Sequence, residues 1–169
     1  EPIAALLPRE PHDEAVILYT SGTTGKPKGA VLTHSNIMWN VSVSAFDSVR
    51  LREDDIALGA LPLFHSFGQM VVLNATFRVG GTVVLMPRFD GPSAIALMKK
   101  EGITFVAGVP TMYMALLGAA AEAGGPPPIR LAVSGGVVSL SGDTSWEGVS
   151  ITGGRLIGQA GTTISPSSA

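Results

Sequence analysis

The sequence contains no cysteine. Disulfides and thiolate metal centres are therefore excluded, and a reducing compartment, the cytoplasm, is the expected location. Charge is scarce too: Asp, Glu, Lys and Arg make up 14% of the chain, against about 25% in an average soluble domain. The net charge is −2 and the eleven basic residues are scattered. No basic field exists to hold nucleic acid, which is excluded as a main partner. No apolar run reaches the roughly 18 residues a membrane-spanning helix needs, so no membrane partner is expected. Glu1-Pro2-Ile3 opens without a basic region ahead of an apolar run and without Met, which predicts an excised or processed piece with no signal peptide.

Apolar residues, at 46%, are what the chain has in quantity. Its 169 residues suffice to bury a core without covalent staples, and global disorder is excluded. So apolar a chain predicts that part of its surface is covered by something else, either a neighbouring domain or a second copy of itself in a homo-oligomer.

Residues 1–14 read as a lead-in segment. Ala15–Thr20 (AVILYT) predicts a buried strand running into a Ser-Gly-Thr-Thr-Gly loop. From Thr33 or Ser35, both suitable N-caps, a helix is favoured to about Asp47, although Val41–Ser44 also alternates like a strand. Ile56–Leu61 predicts a strand, Ser66–Val79 a buried helix, and Thr82–Met86 a strand. Asp90 caps a predicted helix through Glu101, with Lys99 and Lys100 in its last turn and Gly102 just beyond. Ile103–Val109 is the next strand, Pro110 opens a helix fading at Ala123 to Gly125, and Ile129–Val133 is a further strand. Strand and helix alternate, which predicts an α/β fold: a parallel β-sheet flanked by helices in Rossmann-like βαβ units. Ligands of such sheets collect at the carboxyl ends of the strands. The domain expected is 15–136. Residues 137–169 form a Gly/Ser-rich tail completing it, with Val149 to Ile157 suggesting a hairpin around Gly153-Gly154.

The richest chemistry lies in Tyr19-Thr-Ser-Gly-Thr-Thr-Gly-Lys-Pro-Lys-Gly29. Glycines let backbone N–H groups approach an anion, and hydroxyls and ammonium groups add donors for phosphate oxygens. The spacing does not fit G-x-x-x-x-G-K-[ST]. Residue chemistry alone leaves an anion-binding loop and a structural turn both open. His65, between Phe64 and Phe67, reads on its own as a hydrogen-bonded loop histidine. His12 and His34 read as surface or capping residues, and Trp39, Tyr113, Met112 and Met114 as core.

The loop, continuing through Ala30-Val-Leu-Thr-His-Ser-Asn36, resembles the phosphate-binding signature of the adenylate-forming superfamily: acyl-CoA synthetases, peptide-synthetase adenylation domains and luciferases. Leu61-Pro-Leu-Phe-His-Ser-Phe-Gly68 is similar to the L-P-x-F-H-x-x-G of acyl-CoA synthetases. Ile103–Leu117 and Arg130-Leu-Ala-Val-Ser-Gly-Gly136 resemble the approach to the adenine-binding strand and that strand's end. The resemblance covers roughly Asp13 to Gly136 and implies part of that superfamily's N-terminal domain. It also implies ATP and Mg²⁺ as cofactors and a carboxylic acid as partner. Thr20, Ser21, Gly22, Thr23, Thr24, Gly25 and Lys28 would hold the β- and γ-phosphates. Gly135 and Gly136 would lie against adenine, and His65 would stand near the substrate carboxylate, with Lys28 and His65 as the catalytic candidates.

The sequence also departs from the pattern. Gly158-Gln-Ala-Gly-Thr-Thr-Ile-Ser-Pro166 aligns Thr163 with a phosphate-contacting threonine but places Ala160 and Ile164 where the family has Tyr and Glu. An apolar side chain cannot replace a hard-cation ligand, so no protein metal ligand is expected. The family's ribose-binding aspartate, hinge and C-terminal catalytic lysine have no counterpart in these residues. A truncated or engineered ATP-binding portion of an acyl-CoA synthetase-like ligase, with little turnover alone, is the expectation. The alternative is a non-catalytic, self-associating folding module that keeps the loop sequence without binding nucleotide; on either reading a homo-oligomer is expected, with exchange of an element between identical chains as one route to it.

Overall fold

A computed structural model describes residues 7–20 and 26–134. Strand β1, Glu14–Thr20, pairs antiparallel with β2, Lys28–Thr33, in a two-stranded sheet of its own. The register sets Ile17 opposite Val31, Tyr19 opposite Gly29 and Thr20 opposite Lys28. This corrects two expectations. The first strand belongs to a hairpin, outside the parallel sheet, and it is not buried: Ile17 is 51% and Tyr19 75% exposed. Strand β2 went unread because Gly29 and Ala30 dilute its pattern, and because a strand paired through backbone bonds alone needs no apolar alternation.

Helix α1, His34–Ser42, starts at Thr33. The Thr33 hydroxyl accepts from the Asn36 N–H at 3.2 Å, and Asn36 Oδ1 accepts from the Thr33 N–H at 3.1 Å, so two helix-end donors are satisfied reciprocally. The helix continues as a π-helical stretch, Val43–Ser48, which settles the ambiguity at Val41–Ser44 in favour of helix. Ile37 packs against the core and Val41, four residues on, is buried. Trp39 between them points away and is 75% exposed, correcting its assignment to the core, since two residues along a helix turns the side chain to the far face.

The main sheet is parallel, in the order β4-β3-β5-β6. Its strands are β3, Ile56–Gly59; β4, Thr82–Leu85; β5, Phe105–Gly108; and β6, Leu131–Ser134. Between β3 and β4 the chain forms a π-helical stretch, Phe67–Asn74, and the short α2, Ala75–Arg78. Helix α3, Gly91–Glu101, joins β4 to β5, and α4, Pro110–Glu122, joins β5 to β6. Asp90 caps α3 by accepting from the Ser93 N–H at 3.0 Å, and Gly102 closes it at φ +65°, a left-handed conformation that favours glycine. Lys99, in its last turn, donates to the Ala123 carbonyl at the end of α4 at 2.9 Å.

The strand order doubles back. From β3 the chain moves outward to β4, crosses to β5, and continues to β6. Right-handed crossovers then put the helices on opposite faces. The core divides accordingly. Leu58 and Val106 face α3 and α4, through Ile95, Met98, Tyr113 and Leu116. Ala57, Phe105 and Ala107 face the helical layer of Val41, Ala45, Met70 and Val72. Both faces of β5 are buried, which is why it reads as a continuous apolar run. Tyr113 and Met112 lie in this core as expected, whereas Met114 is 56% exposed on the outer side of α4. The Tyr113 hydroxyl lies 3.0 Å from the Val106 carbonyl and 2.6 Å from that of Val133, tying α4 to β5 and β6, and burial keeps that phenol protonated.

At the amino ends of the strands Asp55 is 1% exposed. It accepts from Arg130 Nε at 2.8 Å and also from the other guanidinium nitrogen, from the Thr104 hydroxyl at 2.8 Å and from the Arg52 N–H at 2.8 Å. Thr104 accepts in turn from the Ile56 N–H at 3.0 Å. One carboxylate thereby binds the starts of β3, β5 and β6.

Candidate functional site

In a doubly wound sheet, the crevice for a ligand opens at the carboxyl ends of the strands where the order reverses. Here that point lies between β3 and β5. The segment leaving β3 at its carboxyl end carries Leu61 to Gly68 and with it His65. The segment is pinned in place. The His65 N–H donates to the Pro62 carbonyl at 3.1 Å, and the Gln69 N–H donates to the His65 carbonyl at 2.9 Å. Gly68 is buried, and a Cβ there would run into the Pro62 carbonyl oxygen, with Leu61 Cβ at 3.2 Å. The last position of L-P-x-F-H-x-x-G is therefore a steric requirement of this turn.

The imidazole of His65 is exposed, and its Nδ1 accepts from the Phe67 N–H at 3.2 Å. A neutral ring that accepts through Nδ1 carries its proton on Nε2. One nitrogen of His65 thus holds the ring in the loop, and the other is left to donate.

Lys28 opens β2 directly across from Thr20, so residues 21–27 connect the two strands with Lys28 at the mouth of the connection. Ser21, Gly22, Thr23, Thr24 and Gly25 lie outside the described residues, as do Gly135, Gly136, Thr163 and the hairpin expected at Val149 to Ile157. Strand β6 runs to Ser134, paired to Gly108 of β5, so its carboxyl end lies on the same side of the parallel sheet as that of β3, from which the His65 segment leaves. His34 is the first residue of α1 and His12 is exposed in a turn, as expected. Among the described residues no group of three or more His, Cys, Asp or Glu could hold a metal ion, and no helix is long and apolar enough to cross a membrane.

Two features escaped the sequence. Gln69, one turn beyond His65, has a side-chain oxygen buried with no hydrogen-bond partner. A lone Gln in an apolar helix gives no pattern that would mark it. Trp39 presents its ring outward, and only the phase of α1, with Ile37 and Val41 inward, could have shown that.

Residues 4–158 match the AMP-binding enzyme family. The chain is 44% identical over 104 residues to a feruloyl-CoA synthase of an Amycolatopsis species, covering 62% of this chain and 21% of that protein. It is 39% identical over 107 residues to a long-chain-fatty-acid–CoA ligase of Bacillus subtilis (strain 168), covering 63% and 19%. It thus spans about a fifth of the length of these curated relatives. Among solved structures, ATP-bound MatB from Rhodopseudomonas palustris superposes with a TM-score of 0.65 at 35% identity, over 80% of this chain and 26% of that one. The inhibitor-bound N-terminal domain of FACL13 from Mycobacterium tuberculosis gives 0.71 at 30% identity, over 79% and 33%. With a match over most of its length and a sheet shared with these enzymes, the chain belongs to the AMP-binding enzyme family.

Proposed function

We propose that this chain is the ATP-handling part of a ligase similar to acyl-CoA synthetases. In that reaction a carboxylate oxygen attacks the α-phosphorus of ATP and the bond to pyrophosphate breaks. A thiol then displaces AMP from the acyl-adenylate. The observation that carries the reading is the register of Thr20 against Lys28, which sets an ammonium group at the mouth of a connection rich in glycine and hydroxyls. Thr20, Ser21, Gly22, Thr23, Thr24 and Gly25 supply donors to the β- and γ-phosphates, and Lys28 offsets their charge. Gly135 and Gly136 lie against adenine, Thr163 meets a phosphate, and His65 donates from Nε2 to the acid's carboxylate.

The loop suits anionic oxygens and offers no carboxylate to a cation. Magnesium is therefore part of the substrate, MgATP, and no step is assigned to a protein-held metal. With Ile164 in place of a carboxylate, the 169 residues alone bind nucleotide with little turnover. The exposed apolar row of Ile17, Tyr19 and Val31 on the hairpin supports self-association.

Titrating ATP, with and without Mg²⁺, against melting temperature tests this. One-site linkage gives about 2.7 kcal/mol at a hundredfold excess over Kd, a rise of roughly 5–10 °C for a chain of this size. No shift at millimolar ATP overturns the proposal and leaves the non-catalytic module. Acid-dependent pyrophosphate release at the rate of a whole ligase overturns the low-turnover clause alone.

A further inference from the structure

Strands β1 and β2 form a sheet of only two strands, which is marginal in water without a third strand or other cover. Each strand keeps one edge unpaired. Among the described residues, no backbone hydrogen bond joins Ala15–Thr20 to anything but β2. The two edges differ in chemistry. Strand β2 is entered through Lys26-Pro27-Lys28-Gly29, residue types that keep a sheet edge from pairing. Strand β1 has no proline, glycine or lysine, and its Ala-Val-Ile-Leu-Tyr-Thr run is uncharged and rich in strand formers. Its exposed side chains lean toward β2: a Cβ on Gly29 would lie 3.0 Å from Ile17 Cγ2 and 3.5 Å from the Tyr19 ring. The free edge of β1 is left uncovered by them.

We propose that this edge docks a second copy of the chain, β1 against β1, in a four-stranded antiparallel sheet of order β2-β1-β1-β2. The inference rests on the self-association proposed above and names its surface. Ile17 is the middle residue of Glu14–Thr20, so a two-fold axis there engages the whole strand and sets Ile17 opposite Ile17 of the second copy. Val16 then faces Leu18, and Glu14 faces Thr20, of that copy. Thr20 is already opposite Lys28 within each chain. Each end of the new sheet therefore carries a row of Lys28, Thr20 and the second copy's Glu14, with opposite charges on Cα atoms about 10 Å apart, two strand spacings. A parallel alignment would put the two Glu14 side by side, which is unfavourable. The antiparallel pair is also closed: it uses both free β1 edges and leaves the lysine- and proline-guarded edges of β2 outside.

The chain has no cysteine, so single introduced thiols report the register. In Ile17→Cys they meet at the axis, with Cα atoms about 4.5–5.5 Å apart, within the span of a disulfide. Val31 lies opposite Ile17 on β2, so in Val31→Cys the thiols stand three strand spacings apart, about 14 Å, too far to bridge. Ile17 is 51% and Val31 48% exposed, so chance collision treats the two alike. Under mild oxidation Ile17→Cys is expected to form a disulfide dimer at least about tenfold faster than Val31→Cys. Ile17→Lys sets two ammonium groups together at the axis and is expected to sediment as a monomer, with an unchanged circular dichroism spectrum, where the unsubstituted chain is a dimer. Equal cross-linking rates overturn the proposal, as random collision or outer faces stacked on one another would give. A dimer that persists in Ile17→Lys overturns it too. If the unsubstituted chain is a dimer in either case, only the β1 edge falls; if it sediments as a monomer, self-association falls with it. The melting shift with ATP, read separately, bears on the nucleotide reading alone.

Discussion

Asp55 shows how single residues hold this fold at the amino ends of its parallel strands. Burial alone would raise its pKa, but the hydrogen bonds from Arg130, the Arg52 N–H and the Thr104 hydroxyl outweigh burial and lower it. A folded-state value below the unfolded one contributes stability that is whole above about pH 4 and is lost as the pH falls through the folded value. The urea midpoint is therefore expected to hold between pH 7 and 5 and to drop below pH 4. Asp55→Asn leaves Arg130 without its counter-charge and is expected to cost about 3–5 kcal/mol at neutral pH, with a shallower acid limb in the same titration. At the other end, Gly68→Ala forces a methyl group against Pro62 and is expected to cost about 1–3 kcal/mol in thermal unfolding. Lys28→Ala is expected to abolish the melting shift with ATP; an unchanged shift would put the phosphates elsewhere. The chemical types of Lys28, His65 and Gly68 were legible in the motifs. Asp55 was not, because a lone carboxylate in Arg-Glu-Asp-Asp looks like any solvated turn until Arg130, 75 residues away, closes on it.

Among the elements, the most readable were those whose ends carry their own chemistry. The Asp90 cap, the Gly102 stop and Pro110 fixed α3 and α4 from sequence, and the structure gives the same bounds. Thr33→Ala removes a reciprocal cap and is expected to cost about 1 kcal/mol, by urea unfolding. Tyr113→Phe removes a buried hydroxyl from two strand carbonyls and is expected to cost about 1–3 kcal/mol in the same assay. The hairpin was less readable. Strand β1 looks buried because its residues are apolar, yet their outward face carries Ile17 and Tyr19 into the open. Composition says that a residue prefers cover; it does not say whether cover is present.

On the scale of the molecule, both faces of the parallel sheet are covered by helices while the hairpin keeps one apolar face exposed. Sedimentation at micromolar concentration is expected to show a species larger than the monomer, and a clean monomer would count against self-association of this face. The sequence by itself determined the alternation of strand and helix, the caps that bound α3 and α4, and the residue types able to meet phosphate and carboxylate. These follow from local periodicity, backbone preference and side-chain chemistry, all properties of neighbouring residues. Tertiary structure alone decided that β1 leaves the parallel sheet, that the order reverses between β3 and β5, that Trp39 faces outward, and that Asp55 binds three strands. Each of these depends on contacts between residues far apart in the chain, and the energy of such contacts exists only once the sheet has assembled.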